Sequence, residues 1–95
     1  MPPPLSLLMF DAAVNLGVSR CIKLLQQAVG TAQDGLLGPK TLGAVAAGNT
    51  DATKIAFQAN RLLFMVDLPE WKVFGIGWAR RLITVAFAAA TLPAG

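Results

Sequence analysis

Aromatic and guanidinium side chains are concentrated in one segment near the carboxyl end of the chain, where Trp78 is followed by Arg80 and Arg81 and Trp71 lies close by. An indole ring offers a flat face for a sugar ring, and a guanidinium donates hydrogen bonds to carboxylates and carbonyls. These residue types make the segment the best candidate in the chain for contact with a ligand such as a sugar. In the alternative interpretation Trp78 belongs to the core, and the arginines pair with Asp11, Asp67 or Glu70.

The acidic residues give no sign of a catalytic site. Glycoside hydrolysis needs a protonated acid at the glycosidic oxygen, usually with a second carboxylate or an activated water. None of the acids is marked as a buried group with a raised pKa; they are Asp11, Asp34, Asp51, Asp67 and Glu70. The chain has no histidine and a single cysteine, Cys21, expected to be a small buried residue. We expect no metal, no cofactor and no catalysis by this chain alone.

Helical periodicity runs through the whole chain and predicts an all-α fold of about five helices. The first predicted helix ends before Gly17. The other four span about 19–29, 39–47, 51–68 and 78–90. In the fourth helix, the predicted core-facing residues are Ile55, Ala59, Leu62 and Val66. A hinge is predicted at 74–77, which would place both arginines that follow in the first turn of the fifth helix. The helix dipole disfavours cations there, so a role other than stability is expected for them.

Polar residues elsewhere fall into two groups. Asp34, Gly35, Gly38 and Thr41 are expected to shape the loop between the second and third helices, with a tight Asp-Gly turn at positive φ. Two others are candidates for ligand contact, and each has an alternative. Asn15 is either a helix cap or a donor that lines a groove, and Gln26 is either solvated or in contact with a sugar.

The composition predicts exposed apolar surface. Hydrophobic residues make up 55% of the chain and charged residues 14%, whereas soluble domains average about 45–50% and about 25%. Such surface suggests a partner, a missing part of the same protein, or a membrane. The net charge of +3 suits an anionic polymer, but no nucleic-acid motif is present. We expect no membrane-spanning segment, because the charge-free run 82–95 is shorter than a bilayer requires, and no signal peptide, because no basic residue precedes the apolar run after Met1-Pro-Pro-Pro.

Four segments in this order resemble a known module, the predicted peptidoglycan-binding domain of phage-type N-acetylmuramidases (glycoside hydrolase family 108). They are Phe10–Gly17, Leu24–Gly30, Asp34–Leu42 and Phe74–Arg81. Together with Arg61, which the pattern adds to the candidate ligand-binding residues, the resemblance covers about residues 5–90. Residues 1–4 and 91–95 are expected to be flexible, and the chain to be a single domain.

The resemblance implies one lobe of a lysozyme-like fold, which acts on peptidoglycan as the C-terminal half of an endolysin of phage or bacterial origin. The catalytic glutamate of those enzymes lies in a Glu-Gly-Gly-Tyr-type segment of the N-terminal half, and this sequence contains no such segment. An N-terminal half or a second chain would then cover the apolar flank of the fourth helix and residues 82–92. The protein would be made in the cytoplasm and act at the cell wall.

Three functions follow from these observations. The first is a peptidoglycan-binding module of an endolysin. The second is a stand-alone helical interaction protein or prophage remnant, which is favoured by Phe64-Met65 where tyrosine is expected and by the absence of tyrosine from the chain. The third is a membrane-active lysis accessory, which is favoured by the high hydropathy and the positive charge.

Overall fold

The computed structural model describes residues 1–93 and confirms the all-α prediction, with five helices and no strand in that range. The helices are α1 (Pro3–Leu16), α2 (Val18–Val29), α3 (Pro39–Ala47), α4 (Thr50–Val66) and α5 (Trp71–Ala90). Helices α1, α2, α4 and α5 pack around a shared core, while α3 packs mainly on α2. The site described below lies where three of these four core helices meet.

Helix α1 begins earlier than expected. Pro3 and Pro4 form its first turn, and Pro4 is buried. Proline is tolerated there because the first N–H groups of a helix have no partner within the helix. These two prolines, within the segment 1–4 that was expected to be flexible, therefore lie in a helix. At the other end, Thr91–Pro93 form an exposed turn, and the last two residues of the predicted flexible tail lie outside the described range.

Helix α5 also begins earlier than predicted, at Trp71 instead of Trp78, and runs without interruption to Ala90. The predicted hinge is therefore helical. Gly75 serves close packing there, because a Cβ at this position would lie 2.8 Å from the indole ring of Trp71. The two arginines consequently lie in the middle of the helix, where the argument from the helix dipole does not apply.

The predicted core face of α4 was wrong. Ile55 is 71% exposed, whereas Phe57, Arg61 and Met65 are almost completely buried. These three residues are spaced four apart and share one face of the helix. Arg61 lies at the centre of this buried face, although charged side chains are rarely buried without a partner. The partner, described below, comes from α1.

Much apolar surface is exposed, as the composition predicted. On the flank of α4, Ile55, Leu63 and Val66 are exposed, and Ile83 and Phe87 are exposed on α5. By length and composition alone, Trp71–Ala90 would also be long enough to cross a membrane, although a helix in a soluble protein can meet the same criteria.

Candidate functional site

Three charged side chains meet where α1, α4 and α5 come together. Asp11 of α1 is 3% exposed and contacts two arginines. Its Oδ2 lies 2.8 Å from Nη1 of Arg61. Its Oδ1 accepts a hydrogen bond of 2.6 Å from Nε of Arg81, and Nη2 of Arg81 contacts the same oxygen. This group, the Asp11 triad, links one residue from each of the three helices.

The triad keeps Asp11 ionised despite its burial. Burial alone would raise the pKa of Asp11, but the hydrogen bonds and positive charges of Arg81 and Arg61 outweigh it and lower the pKa. The same carboxylate raises the pKa of Arg81. Arg61 is 0% exposed, and within residues 1–93 it forms an ion pair with Asp11. Since a buried charge is tolerated only when paired, Asp11 is what allows Arg61 to lie in the core.

An open groove lies one helical turn away from the triad and is formed by the same helices. Asn15 follows Asp11 by four residues, Met65 follows Arg61 by four, and Trp78 precedes Arg81 by three, so each pair shares a helix face. The groove has a volume of about 400 Å³. This Trp78 groove is lined by Asn15, Leu16, Phe64, Met65, Leu68, Glu70 and Trp78.

Neighbouring aromatic rings hold Trp78 in place at the edge of the groove. Its ring stacks with Phe74 at a centroid separation of 6.0 Å and an interplanar angle of 26°. The ring of Trp71 lies 6.3 Å away and is tilted by 53°. Trp78 is half-buried, so one part of the indole packs against the protein while another part faces the groove. The two interpretations of Trp78, as a core residue and as a surface that lines a cleft, are thus both partly correct.

The structure brings together only some of the predicted site residues. Asn15 and Trp78 line the groove, and Arg81 lies one turn from Trp78 with its side chain 60% exposed. Asn15 is not the cap of α1, because that position belongs to Gly17. The expectation that Arg61 contacts a ligand was wrong, because its side chain is completely buried.

Arg80 does not belong to the groove either, although it is adjacent to Arg81 in sequence. Successive residues of a helix are about 100° apart, so Arg80 lies about 200° around α5 from Trp78. Its side chain is exposed on the outer side of the helix. Of the two arginines, Arg81 alone lies on the same side of α5 as Trp78, and its contact with a ligand stays a prediction. Trp71 stays near Trp78 but lies in a separate depression beside Val73 and Ile76.

Gln26 has a structural position, contrary to the expectation that it is solvated. It is 1% exposed, and its side chain binds the loop that follows α2. Its Nε2 lies 2.8 Å from Oδ1 of Asp34 and 3.1 Å from the hydroxyl of Thr41, while its Oε1 accepts a hydrogen bond of 3.0 Å from the N–H of Gly35. Gly35 has a φ of 77°, the left-handed conformation expected of a tight Asp-Gly turn.

The loop then leads into α3. Asp34 accepts a further hydrogen bond from the N–H of Leu36. This hydrogen bond and, to a smaller extent, the one from Gln26 lower the pKa of Asp34. Gly38 donates its N–H to the carbonyl of Leu36 at 3.0 Å and precedes Pro39 at the start of α3. All the predicted loop residues lie in this hydrogen-bonded segment, and Gln26 lies there instead of at a ligand site.

Several residues of the site were missed in the sequence. Phe64 lies near the end of α4, while Leu68 and Glu70 lie in the turn between α4 and α5. Arg20 of α2 lies over the Phe64 ring, with its guanidinium carbon 4.6 Å from the centroid, as in a cation–π contact. Pro69 was the signal in the sequence that could have identified them, because it ends α4 and so predicts a turn next to the start of α5.

The remaining reactive groups do not form a metal site or an activated nucleophile. No cluster of three or more His, Cys, Asp or Glu side chains that could hold a metal occurs in the part of the chain that the structure describes. Cys21 is buried, as predicted, and burial raises the pKa of its thiol to about 11. A thiol with such a high pKa is mostly protonated at neutral pH and is a poor nucleophile.

Comparison with known proteins gives a match among the solved structures. No protein-family model and no curated protein matches this sequence. Among solved structures, Brucella abortus SagA matches with a TM-score of 0.92 and 33% sequence identity. The alignment covers 95% of this chain and 52% of the SagA chain. The chain is therefore similar in sequence and structure, over almost its whole length, to about half of Brucella abortus SagA.

Proposed function

We propose that this chain binds peptidoglycan through the Trp78 groove, and that it is the non-catalytic half of a muramidase of the phage type. The observation that carries the proposal is the open, partly aromatic groove between Asn15 and Trp78. Its volume of about 400 Å³ falls within the range of about 300–1,000 Å³ that is common for small-ligand sites. A half-buried indole beside an amide can stack on a sugar and bind its acetamido or hydroxyl groups.

Arg81 provides a charged group beside this surface. Its Nε and Nη2 contact Asp11, which fixes the guanidinium, while its side chain remains 60% exposed. A guanidinium has five N–H donors, so donors remain for a second carboxylate. Peptidoglycan carries free carboxylates on its stem peptides, and a fixed guanidinium binds such a group with a smaller loss of side-chain entropy.

The match to SagA fits a protein made of two parts. The chain spans about half the length of that protein, which leaves room for a second segment of similar size. In the proposed function such a segment, in the same chain or in another, contains the catalytic acid. Such an arrangement agrees with the resemblance to the peptidoglycan-binding half of the muramidases. In the proposed function the protein acts at the bacterial cell wall.

The direct test is co-sedimentation of the purified chain with insoluble peptidoglycan, for the wild type and for Trp78→Ala. We expect the substitution to weaken binding about threefold to tenfold, since an aromatic contact contributes about 0.5–1.5 kcal/mol. Phe87→Ala is the matched control, because Phe87 is an aromatic residue of the same helix that is 73% exposed and remote from the groove. Circular dichroism confirms that each variant is folded.

Two results would count against the proposal. If a folded wild-type chain does not bind, the groove alone is not a peptidoglycan site. If Trp78→Ala and Phe87→Ala bind as well as the wild type, the site lies elsewhere on the molecule.

A second candidate is a helical interaction protein without affinity for peptidoglycan, and the exposed apolar residues favour it. Ile76, Val73 and Phe87 are 82%, 76% and 73% exposed, and exposed apolar patches commonly mark protein interfaces. This function predicts binding of a hydrophobic dye together with failure to bind peptidoglycan. A chain that binds peptidoglycan and no dye would contradict it.

A further inference from the structure

The outer side of α5 carries an apolar stripe that no other helix of residues 1–93 covers. It consists of Val73, Ile76, Arg80, Ile83 and Phe87, which we call the outer stripe. The spacing is three, four, three and four residues, so all five side chains lie on one face of the helix. The four apolar members are between 53% and 82% exposed.

The outer stripe lies opposite the face by which α5 packs in this protein. Gly75, Val85 and Ala89 are the buried residues of α5. Val85 follows Ile76 by nine residues, which corresponds to about 180° around the helix axis. One side of α5 therefore packs against the core, and the outer stripe on the opposite side is apolar surface that does not contribute to the core.

The spacing of the stripe is that of the contact seam between two packed helices. Alternation of three and four residues is the pattern of the a and d positions in a coiled coil. In the outer stripe, Arg80 occupies one such position. A single charged residue in an otherwise apolar seam selects the partner and the register, because it needs an opposite charge across the interface.

We propose that the outer stripe is the docking surface for a helix of a different polypeptide segment, one with apolar residues at the same spacing and a carboxylate opposite Arg80. The net charge of +3 further favours an acidic partner. SagA contains almost as many residues outside the matched region as within it, so a segment of sufficient length exists in a protein of similar structure. The surface lies about 180° from the core-facing side of α5 and does not depend on the Trp78 groove.

The position of Arg80 argues against a second copy of this chain as the partner. Arg80 is at the centre of the stripe, with two apolar residues before it and two after it. Two copies that pack stripe to stripe therefore bring Arg80 against Arg80, in either a parallel or an antiparallel orientation. Two like charges at the centre of an apolar interface oppose association. A lipid surface would likewise have to accommodate Arg80 within its apolar layer.

The test uses the chain itself as the acidic partner. Arg80→Glu provides the same stripe with a carboxylate at its centre. In sedimentation equilibrium, we expect the wild type alone and the variant alone to be monomers, and an equimolar mixture to form a 1:1 complex. We expect association at least tenfold tighter in the mixture than in either protein alone, and weaker at high salt.

Two control variants show whether the stripe is responsible. Lys40→Glu makes the same charge change at an exposed position of α3, and its mixture with the wild type should remain monomeric. Ile76→Ser, introduced into Arg80→Glu, should abolish the complex while leaving the helical circular dichroism unchanged. Loss of association in this double variant with a folded chain assigns the contact to the stripe.

Three results would overturn the proposal. Self-association of the wild type that is as tight as association in the mixture would assign the stripe to a second copy. A mixture that associates no more than its components would show that the stripe does not select a carboxylate. Flotation of the wild type, but not of Ile76→Ser, with vesicles of phosphatidylcholine and phosphatidylglycerol would assign the stripe to a lipid surface. Peptidoglycan binding tests the groove separately, so the two proposals fail independently.

Discussion

The two sides of α5 show how different the environments of adjacent residues can be. On the inner side, Arg81 binds the buried carboxylate of Asp11, and Trp78 faces the groove. On the outer side, Arg80 lies between exposed apolar residues. Both sides combine apolar side chains with one arginine, but within residues 1–93 only the inner arginine is paired with an acid from another helix.

This difference shows that an arginine takes its role from the helix face that it occupies. Arg80 and Arg81 are about 100° apart around α5, which is enough to separate the core from the outer surface. Asp11 makes the inner side the more important one for stability, because it pairs with both Arg81 and the fully buried Arg61. The predictions below alter one side while the other serves as the control.

The largest effect is expected at Asp11. Asp11→Ala leaves Arg61 buried without its charge partner, and breaking a buried ion pair in this way costs about 3–5 kcal/mol. Arg80→Ala, on the outer side, should change the free energy of unfolding by less than about 0.5 kcal/mol. Urea unfolding followed by circular dichroism measures both values. Equal losses in the two variants would show that the inner side is no more important for stability than the outer side.

The same ion triad should respond to acid. The pKa of Asp11 is lowered in the folded protein, so the stability it provides is present above its unfolded pKa, about 3.9, and is lost as the pH falls through the folded value. Asp11→Asn lacks this contribution at every pH. The difference in unfolding free energy between wild type and Asp11→Asn should therefore be constant from about pH 7 to 5 and shrink below about pH 4. A difference that grows in acid would contradict the direction of the shift.

The smallest effect is expected at the two glycines of α5. Gly77 faces open space, so Gly77→Ala should stabilise the protein by about 0.5–1 kcal/mol, the usual advantage of alanine in a helix. At Gly75 the same change places a Cβ 2.8 Å from the Trp71 ring, which must then move. We expect Gly75→Ala to be less stable than Gly77→Ala and to alter the tryptophan fluorescence. Equal stability and unchanged fluorescence would mean that Trp71 does not depend on the glycine.

The sequence was sufficient to predict the five helices and the loop between α2 and α3. Glycine and proline interrupt the helical periodicity at positions where the local backbone conformation determines a turn or a helix start. Examples are Gly35, which has a positive φ, and Pro39, which begins α3. The predicted start of α5 was wrong because Gly75 packs against the ring of Trp71 within the helix, and a glycine used for packing looks the same in the sequence as a glycine in a hinge. Of the predicted site residues, Asn15 and Trp78 line the groove and Arg81 lies one turn away from Trp78, while their contact with a ligand stays a prediction.

The sequence by itself determined the helical class, the surplus of apolar residues and the loop, since each depends on composition or on neighbouring residues. Only the tertiary structure decided which polar groups are buried. Arg61 and Gln26 lie inside because Asp11 and the loop of Asp34 provide partners for them. A buried polar group is stable only if its partner is also present, and such partners come from residues distant in the sequence, as Asp11 does for Arg81.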